Sequence, residues 1–277
     1  MTPSQHDRYE RFVELHARPG GFVMPNAWDA VSALLLKEAG FEALGTSSAA
    51  LAASLGRIDG RHAVSRDEHL AHAVLLGDIT GLPINGDFED GYGGTPEAVA
   101  ATVEAAIGAG LAGIGIEDTS GDPDAPIRDF DDAVARVRAA AEVASGRIVL
   151  TGRTDNHVYA CNDFDDTLRR LTAFAEVGAD VLYAPFPATM ADVHAIVRAV
   201  APKPVNVVVG TAEGPVPVAE LRAAGVARIS LGAALYGRVM ADLRTAAAQL
   251  ADGDMSSAAT GMGFRGIIGL IAAAREG

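Results

Sequence analysis

Short apolar runs alternate with longer stretches of helical period along nearly the whole chain. GFVMPN reads as a strand, and Ala27 to Ala39 as a helix that Gly40 closes. FEALGTSS is the next strand, and Ser65 to Leu76 the helix after it, with Ser65 and Glu68 spaced as a capping box. LPINGD follows, and Thr95-Pro96-Glu97 opens a helix to about Ile107 with a cap residue and proline at the first position. AGIGIED, RIVLTGR, ADVLYAPF, PVNVVVG and ARISLG supply five more strands. Between and after them lie helical stretches at Asp129 to Val143, Asp163 to Val177, Met190 to Val200, Pro217 to Ala224 and Ala233 to Leu250. Gly40, Gly110, Gly178 and Gly225 each stand where a helix ends, the position that favours glycine.

Eight sequential strand–helix units predict an α/β protein, a (β/α)8 TIM barrel. A doubly wound open sheet would usually carry a glycine-rich turn after its first strand; here that turn is PNAWD, without glycine. One barrel domain over residues 1–277 is expected, with 253–277 a C-terminal helical tail. The tail carries FRGIIGLIAAA and has no barrel position left. It is expected either on a neighbouring subunit, in a homo-oligomer, or as a lid on the barrel's own bottom.

Composition narrows the function. The 277 residues can bury a sizeable core without disulfides, and 49 % hydrophobic residues exclude general disorder. With 22 Lys and Arg against 36 Asp and Glu, the net charge of −14 argues against a nucleic-acid partner and an anionic membrane surface. Cys161 alone excludes an intrachain disulfide and a cysteine-rich zinc site. The longest uncharged run, Ala43 to Gly56, has 14 residues against the roughly 20 of a membrane span. The first residues lack the apolar stretch of a secretory signal. A cytoplasmic protein with no membrane partner is the expectation.

In a barrel, residues that end a strand point into the active-site mouth. The second strand ends in Thr46, Ser47 and Ser48, and its loop adds Asp59. The third ends in Asp87, Glu89 and Asp90, the fourth in Glu117 and Asp118, the fifth in Arg153 and Asp155, and Asn206 stands on the seventh. Converging carboxylates repel unless a cation neutralises them or some hold protons. All these donors are oxygens, which selects Mg2+, or Mn2+, over zinc. The plainer alternative makes Asp87, Glu89 and Asp90 a solvated turn. Arg153 needs an anionic partner: a substrate carboxylate held by two hydrogen bonds, a salt bridge to Asp155 or Glu117, or both.

PNAWDAVSALLLKEAGFEAL, TSSAALAASLGRID, GDFEDGYGG, AGIGIEDTS and LTGRTDN, in that order along the chain, resemble the isocitrate lyase/phosphoenolpyruvate mutase superfamily from about Phe22 to Leu250. The resemblance implies a Mg2+ enzyme acting on a small 2-oxo or 2-hydroxy acid through a metal-stabilised enolate. It implies Asp87 as direct metal ligand, with Glu89, Glu117 and Asp59 around the metal and its waters. It places Ser47 and Arg153 on the substrate carboxylate, the amides of Ser48 and Ala49 as oxyanion donors, and Asn206 as a polar substrate contact. Arg153, Ser47, Asp59 and Glu117 are the residues it nominates for catalysis. It also implies a homotetramer with exchanged C-terminal helices.

Departures from the family pattern bear on the reaction. The lyases' Lys-[Lys/Arg]-Cys-Gly-His loop is replaced by TSGDPDAPIRDF, their fourth-strand histidine by Gly115, and a glutamate after the sixth strand by Pro185. An aromatic before the family serine is Gly45 here, a change expected to widen the pocket unless Trp28 or Tyr92 refills it. The leading expectation is therefore a lyase that makes or breaks a C–C bond by retro-aldol, hydrolytic or decarboxylating chemistry. Phosphonopyruvate mutase or hydrolase chemistry, with Arg128 the available cation, and a non-catalytic keto-acid-binding barrel are the alternatives.

Overall fold

The computed structural model describes residues 3–161 and 163–276. Seven parallel strands come first: β1 (Phe22–Met24), β2 (Leu44–Gly45), β3 (Ile84–Asp87), β4 (Gly113–Glu117), β5 (Val149–Arg153), β6 (Val181–Tyr183) and β7 (Val205–Val208). A small hairpin, β8 (Gly210–Thr211) with β9 (Gly214–Pro215), precedes the eighth barrel strand, β10 (Arg228–Ser230). The sheet runs β1-β10-β7-β6-β5-β4-β3-β2. Between β1 and β2 the only backbone pairing among the described residues is a bridge from Asn26 to Gly45. The Asn26 side chain completes that seam. Its Nδ2 donates to the Thr46 carbonyl at 2.6 Å, and its Oδ1 accepts the amides of Leu231 and Gly232 at 3.0 and 2.8 Å. The expected (β/α)8 barrel is the fold.

Its helices are α1 (Gln5–Ala17), α2 (Ala30–Glu38), α3 (Ser48–Ser54), α4 (Arg66–Thr80), α5 (Pro96–Gly108), α6 (Phe130–Ala144), α7 (Phe164–Glu176), α8 (Met190–Val200), α9 (Val218–Ala223), α10 (Ala234–Ala251) and α11 (Phe264–Glu276). Ser65 and Glu68 form the expected reciprocal cap on α4, and Thr95 caps α5 ahead of Pro96. Two helices escape the sequence reading, α1 and the short α3.

Along each strand the side chains alternate between faces. Ile84, Ile114, Ile116, Leu150, Leu182, Val207 and Ile229 join the main core under the helices. The residues between them, including Asn85, Asp87, Thr151, Arg153, Tyr183, Asn206 and Arg228, face the barrel axis and line a cavity at its mouth. The same alternation that builds the core thus aims the polar side chains inward.

At the opposite end α1 acts as a stopper. Phe12 and Leu15, both fully buried, pack with Phe22, Ala43, Ala112, Val149 and Val181, which begin or directly precede strands. The place expected for a C-terminal lid is thereby filled by the N-terminal helix, and α11 lies against α2 and α4. The α10 helix has no buried residue and leaves Val239, Leu243 and Leu250 exposed. Ser256–Arg275 is apolar enough in composition for a membrane span. However, α11 has 13 residues, about 20 Å of helix against a hydrocarbon core of about 30 Å.

Candidate active site

A cavity of about 290 Å3 opens at the C-terminal ends of the strands. Of the residues singled out from the sequence, Ser47, Ser48, Ala49, Asp59, Asp87, Arg153 and Asn206 line it together. Gly115 and Pro185 line it as well, so the positions where the related lyases carry histidine and glutamate present no acid–base group here. Glu117 lies in an adjoining outer chamber of about 670 Å3, which shares Asp59 with the inner cavity. Glu89 borders a separate recess with His62 and Asp90.

Arg153 is the hub. Its Nε and Nη2 bind the two oxygens of Asp155 at 2.5 and 2.7 Å, while Nη1 lies 3.1 Å from Glu117 Oε2 and 3.3 Å from Asp87 Oδ1. The Tyr183 ring stacks beneath the guanidinium at 5.3 Å. Both salt bridges weighed for this arginine are therefore made, with Nη1 the group turned toward the acids of the mouth. Asp87 is fixed from the other side by Ser48, whose amide and hydroxyl each donate to Oδ2 at 3.0 Å; the same hydroxyl is 3.3 Å from Asp59 Oδ2. Ser47 caps α3, its hydroxyl accepting the Ala50 amide at 3.3 Å.

The third-strand loop is not a solvated turn. Asp90 is buried and holds His62 Nε2 at 2.6 Å and Arg128 Nη2 at 2.7 Å. Glu89 adopts a positive φ of 46° and accepts from the His62 amide and the Tyr92 hydroxyl, each at 3.1 Å. Arg128 is committed to Asp90 and Asp132. Gly45 leaves no widened pocket: a Cβ there would meet Asn26 Nδ2 at 2.7 Å and Met24 Cε at 3.2 Å. Neither Trp28 nor Tyr92 refills that space; Trp28 packs on Tyr236, and Tyr92 against His62.

Burial pushes the carboxyls of Asp59 and Glu89 up, and the Asp87 charge adds to the effect at Asp59. Glu117 is raised furthest; burial outweighs the opposing pull of Arg153. Three carboxylates on Arg153, with Asp59 beyond Ser48 as a fourth, leave an excess of negative charge that a divalent cation would correct. No three or more His, Cys, Asp or Glu side chains are placed to hold an ion directly among the described residues. Mg2+ does not require that, since it keeps several waters and takes one or two carboxylates. An all-oxygen set with Asp87 foremost fits such an ion.

Sequence reasoning passed over Asn26, Asn85, Thr151, Tyr183 and Arg228. Their signal was period two: a polar side chain at alternate positions of an otherwise apolar strand, as in RIVLTGR and ARISLG.

Fold and mouth together define a (β/α)8 barrel of the lyase and mutase kind. The family model for phosphoenolpyruvate phosphomutase matches residues 12–251, and the chain belongs to this family, within the isocitrate lyase/phosphoenolpyruvate mutase superfamily. A solved structure from Burkholderia cenocepacia J2315 is 40 % identical, with a TM-score of 0.92 over 97 % of this chain and 96 % of that one. An uncharacterized Mycobacterium tuberculosis protein is 32 % identical, covering 88 % of this chain and 90 % of its own. The oxaloacetate decarboxylase of Chromohalobacter salexigens is 32 % identical across 51 % of this chain and 50 % of its own.

Proposed function

We propose that this protein is a cytoplasmic, Mg2+-dependent lyase that makes or breaks a C–C bond adjacent to C2 of a small 2-oxo or 2-hydroxy acid. The observation that carries the reading is the convergence of Asp59, Asp87 and Arg153 on one cavity, with Glu117 at its edge. Mg2+ (or Mn2+), held by Asp87 and through water by Asp59, Glu89 and Glu117, would supply Lewis-acid polarisation of the 2-oxo oxygen.

The chain's own groups do the rest. Arg153, held rigid by Asp155, offers Nη1 to the substrate carboxylate, with Ser47 and Asn206 as further polar contacts. Of the two amides expected as oxyanion donors, that of Ser48 is taken by Asp87, which leaves the Ala49 amide to favour the negative charge that develops at the 2-oxo head. Asp59 and Glu117, raised by burial, are the groups suited to deliver or accept a proton. With Gly115 and Pro185 replacing acid–base residues, a small head group suits the cavity better than a tricarboxylate. Phosphoryl chemistry finds less support, because Arg128, the cation available for it, lines neither the inner cavity nor the outer chamber.

The exposed apolar face of α10 supports a homo-oligomer, a dimer or tetramer in which a second copy covers Leu243 and its neighbours. A turnover screen of 2-oxo and 2-hydroxy acids, with and without Mg2+, tests the function. Activity that needs the ion and disappears in Asp87→Ala is expected. Calorimetry that finds binding of neither Mg2+ nor any 2-oxo acid would sink the proposal.

A further inference from the structure

Beneath the cavity, the barrel interior holds a guanidinium that no carboxylate answers. Arg228 is 2 % exposed, yet its hydrogen-bond partners are all neutral. Nε donates to Asn206 Oδ1 at 2.9 Å and Nη2 to Thr151 Oγ1 at 3.0 Å, while Nη1 lies 3.4 Å from both Asn85 Oδ1 and His16 Nε2. Burial lowers its pKa to about 10, so it stays charged at neutral pH. Buried charges are normally paired, because isolated ones are costly.

The arginine dictates how its neighbours turn. A guanidinium has donors only, so every group that meets it must present a lone pair. An asparagine that gives Oδ1 to Arg228 necessarily turns its NH2 elsewhere. Asn206 Nδ2 donates to Ser230 Oγ at 3.0 Å, which uses one of its two hydrogens. Nδ2 of Asn85 has no protein partner among the described residues, and Thr151, having accepted, keeps its hydroxyl hydrogen to give. All three side chains line the cavity. His16 obeys the same rule from below. Its Nδ1 lies 2.7 Å from the Phe12 carbonyl and so carries the proton, which leaves Nε2 as the acceptor toward Arg228. Burial and the nearby guanidinium lower its pKa to about 3, which keeps it neutral.

We propose that Arg228 is a positioning residue that polarises the cavity floor, locking Asn85, Thr151 and Asn206 as hydrogen-bond donors so that the buried end of the ligand must be acceptor-only, a carboxylate and not a carboxamide. The identity of that ligand as a small 2-oxo acid rests on the proposed function; the donor floor does not. An arginine that merely tied α1 to the strands would, on removal, weaken all ligands alike.

Two measurements decide it. Without any ligand, Asn206→Asp keeps the acceptor that faces Arg228 and adds a counter-charge. Its Tm is expected to rise by roughly 2–4 °C, and the same change in an Arg228→Met background to lower Tm, since the new carboxylate is then buried alone. Arg228→Gln replaces Arg228→Met should the latter not fold. A lower Tm in both backgrounds overturns the proposal.

With ligand, calorimetry compares oxalate with oxamate in the presence of Mg2+. Wild type is expected to prefer oxalate, and the preference to shrink by roughly tenfold in Arg228→Met while Arg228→Lys keeps part of it. Equal weakening of both ligands, with the ratio unchanged, overturns the polarising role. If wild type binds neither, the 2-oxo acid reading fails, and the Asn206→Asp pair still decides the floor.

Discussion

Gly113 sits on the inward face of β4, where replacement by alanine adds one methyl group to the contact between α1 and the barrel. That methyl would lie 2.5 Å from Phe12 Cε1 and 2.6 Å from Asn85 Oδ1, against roughly 3.5–4.0 Å for a relaxed carbon contact. Something must yield by about 1 Å on this reckoning. Asn85 is held by Arg228, and Phe12 is fully buried edge-on against His16 and Phe22. Gly113→Ala is therefore expected to cost about 1–3 kcal/mol through overpacking. Phe12→Ala, which opens a void at the same place, should cost about 3–5 kcal/mol. Combined, the new methyl enters the vacated ring space, and the double variant should be more stable than the sum of the two by at least about 1 kcal/mol. Urea unfolding followed by circular dichroism measures all three, with the slope checked for two-state behaviour. Additivity within about 0.5 kcal/mol would mean that Phe12 is not seated on β4, and the reasoning about α1 would be wrong.

Further expectations concern the seam, pH and assembly. Asn26→Leu strands the half-buried amides of Leu231 and Gly232 and should destabilise by about 2 kcal/mol, read by the same urea assay. His16, depressed from 6.5 to about 3, is neutral in the folded state, so the unfolded chain takes up its proton first as the pH falls. Its contribution is fully present above pH 6.5 and is lost as the pH drops toward 3. His16→Gln should thus flatten the acid limb of Tm against pH, although His69 and His72, also lowered by burial, retain part of it. A limb unchanged in the variant refutes the assignment. Leu243, 60 % exposed on α10, should on change to Glu shift the sedimentation mass toward monomer with an unaltered circular dichroism spectrum; an unchanged mass counts against that face as the interface.

Much of the barrel was readable before any coordinates because its signals are local. Ser65 with Glu68 and Thr95 with Pro96 start helices, Gly40 and Gly110 take the positive φ that ends them, and the strands between are short and apolar. Mouth residues followed from strand ends, and seven of those singled out share one cavity. What was missed depends on partners distant in sequence. The α1 helix is polar on most of its surface, and Phe12 and Leu15 acquire meaning only once the strand starts gather around them. The space beside Gly45 is filled by Asn26, two residues past the end of β1, across a seam that no local pattern marks. Arg228 reads as an interruption in an apolar strand until the barrel closes and supplies its four neutral neighbours.

The stopper helix also constrains when the molecule can be finished during synthesis. His16 and Arg228, which meet in the barrel interior, are 212 residues apart in the chain. At the ribosome's pace of about 5–20 residues per second, roughly 10–40 s separate the emergence of the first from that of the second. Through that interval Phe12 and Leu15 have no completed socket, although α1 can already form as a capped helix from Ser4. Although α1 is made before the strands it closes, it is seated only after them, so the nascent chain carries an exposed apolar stripe until the eighth barrel strand arrives.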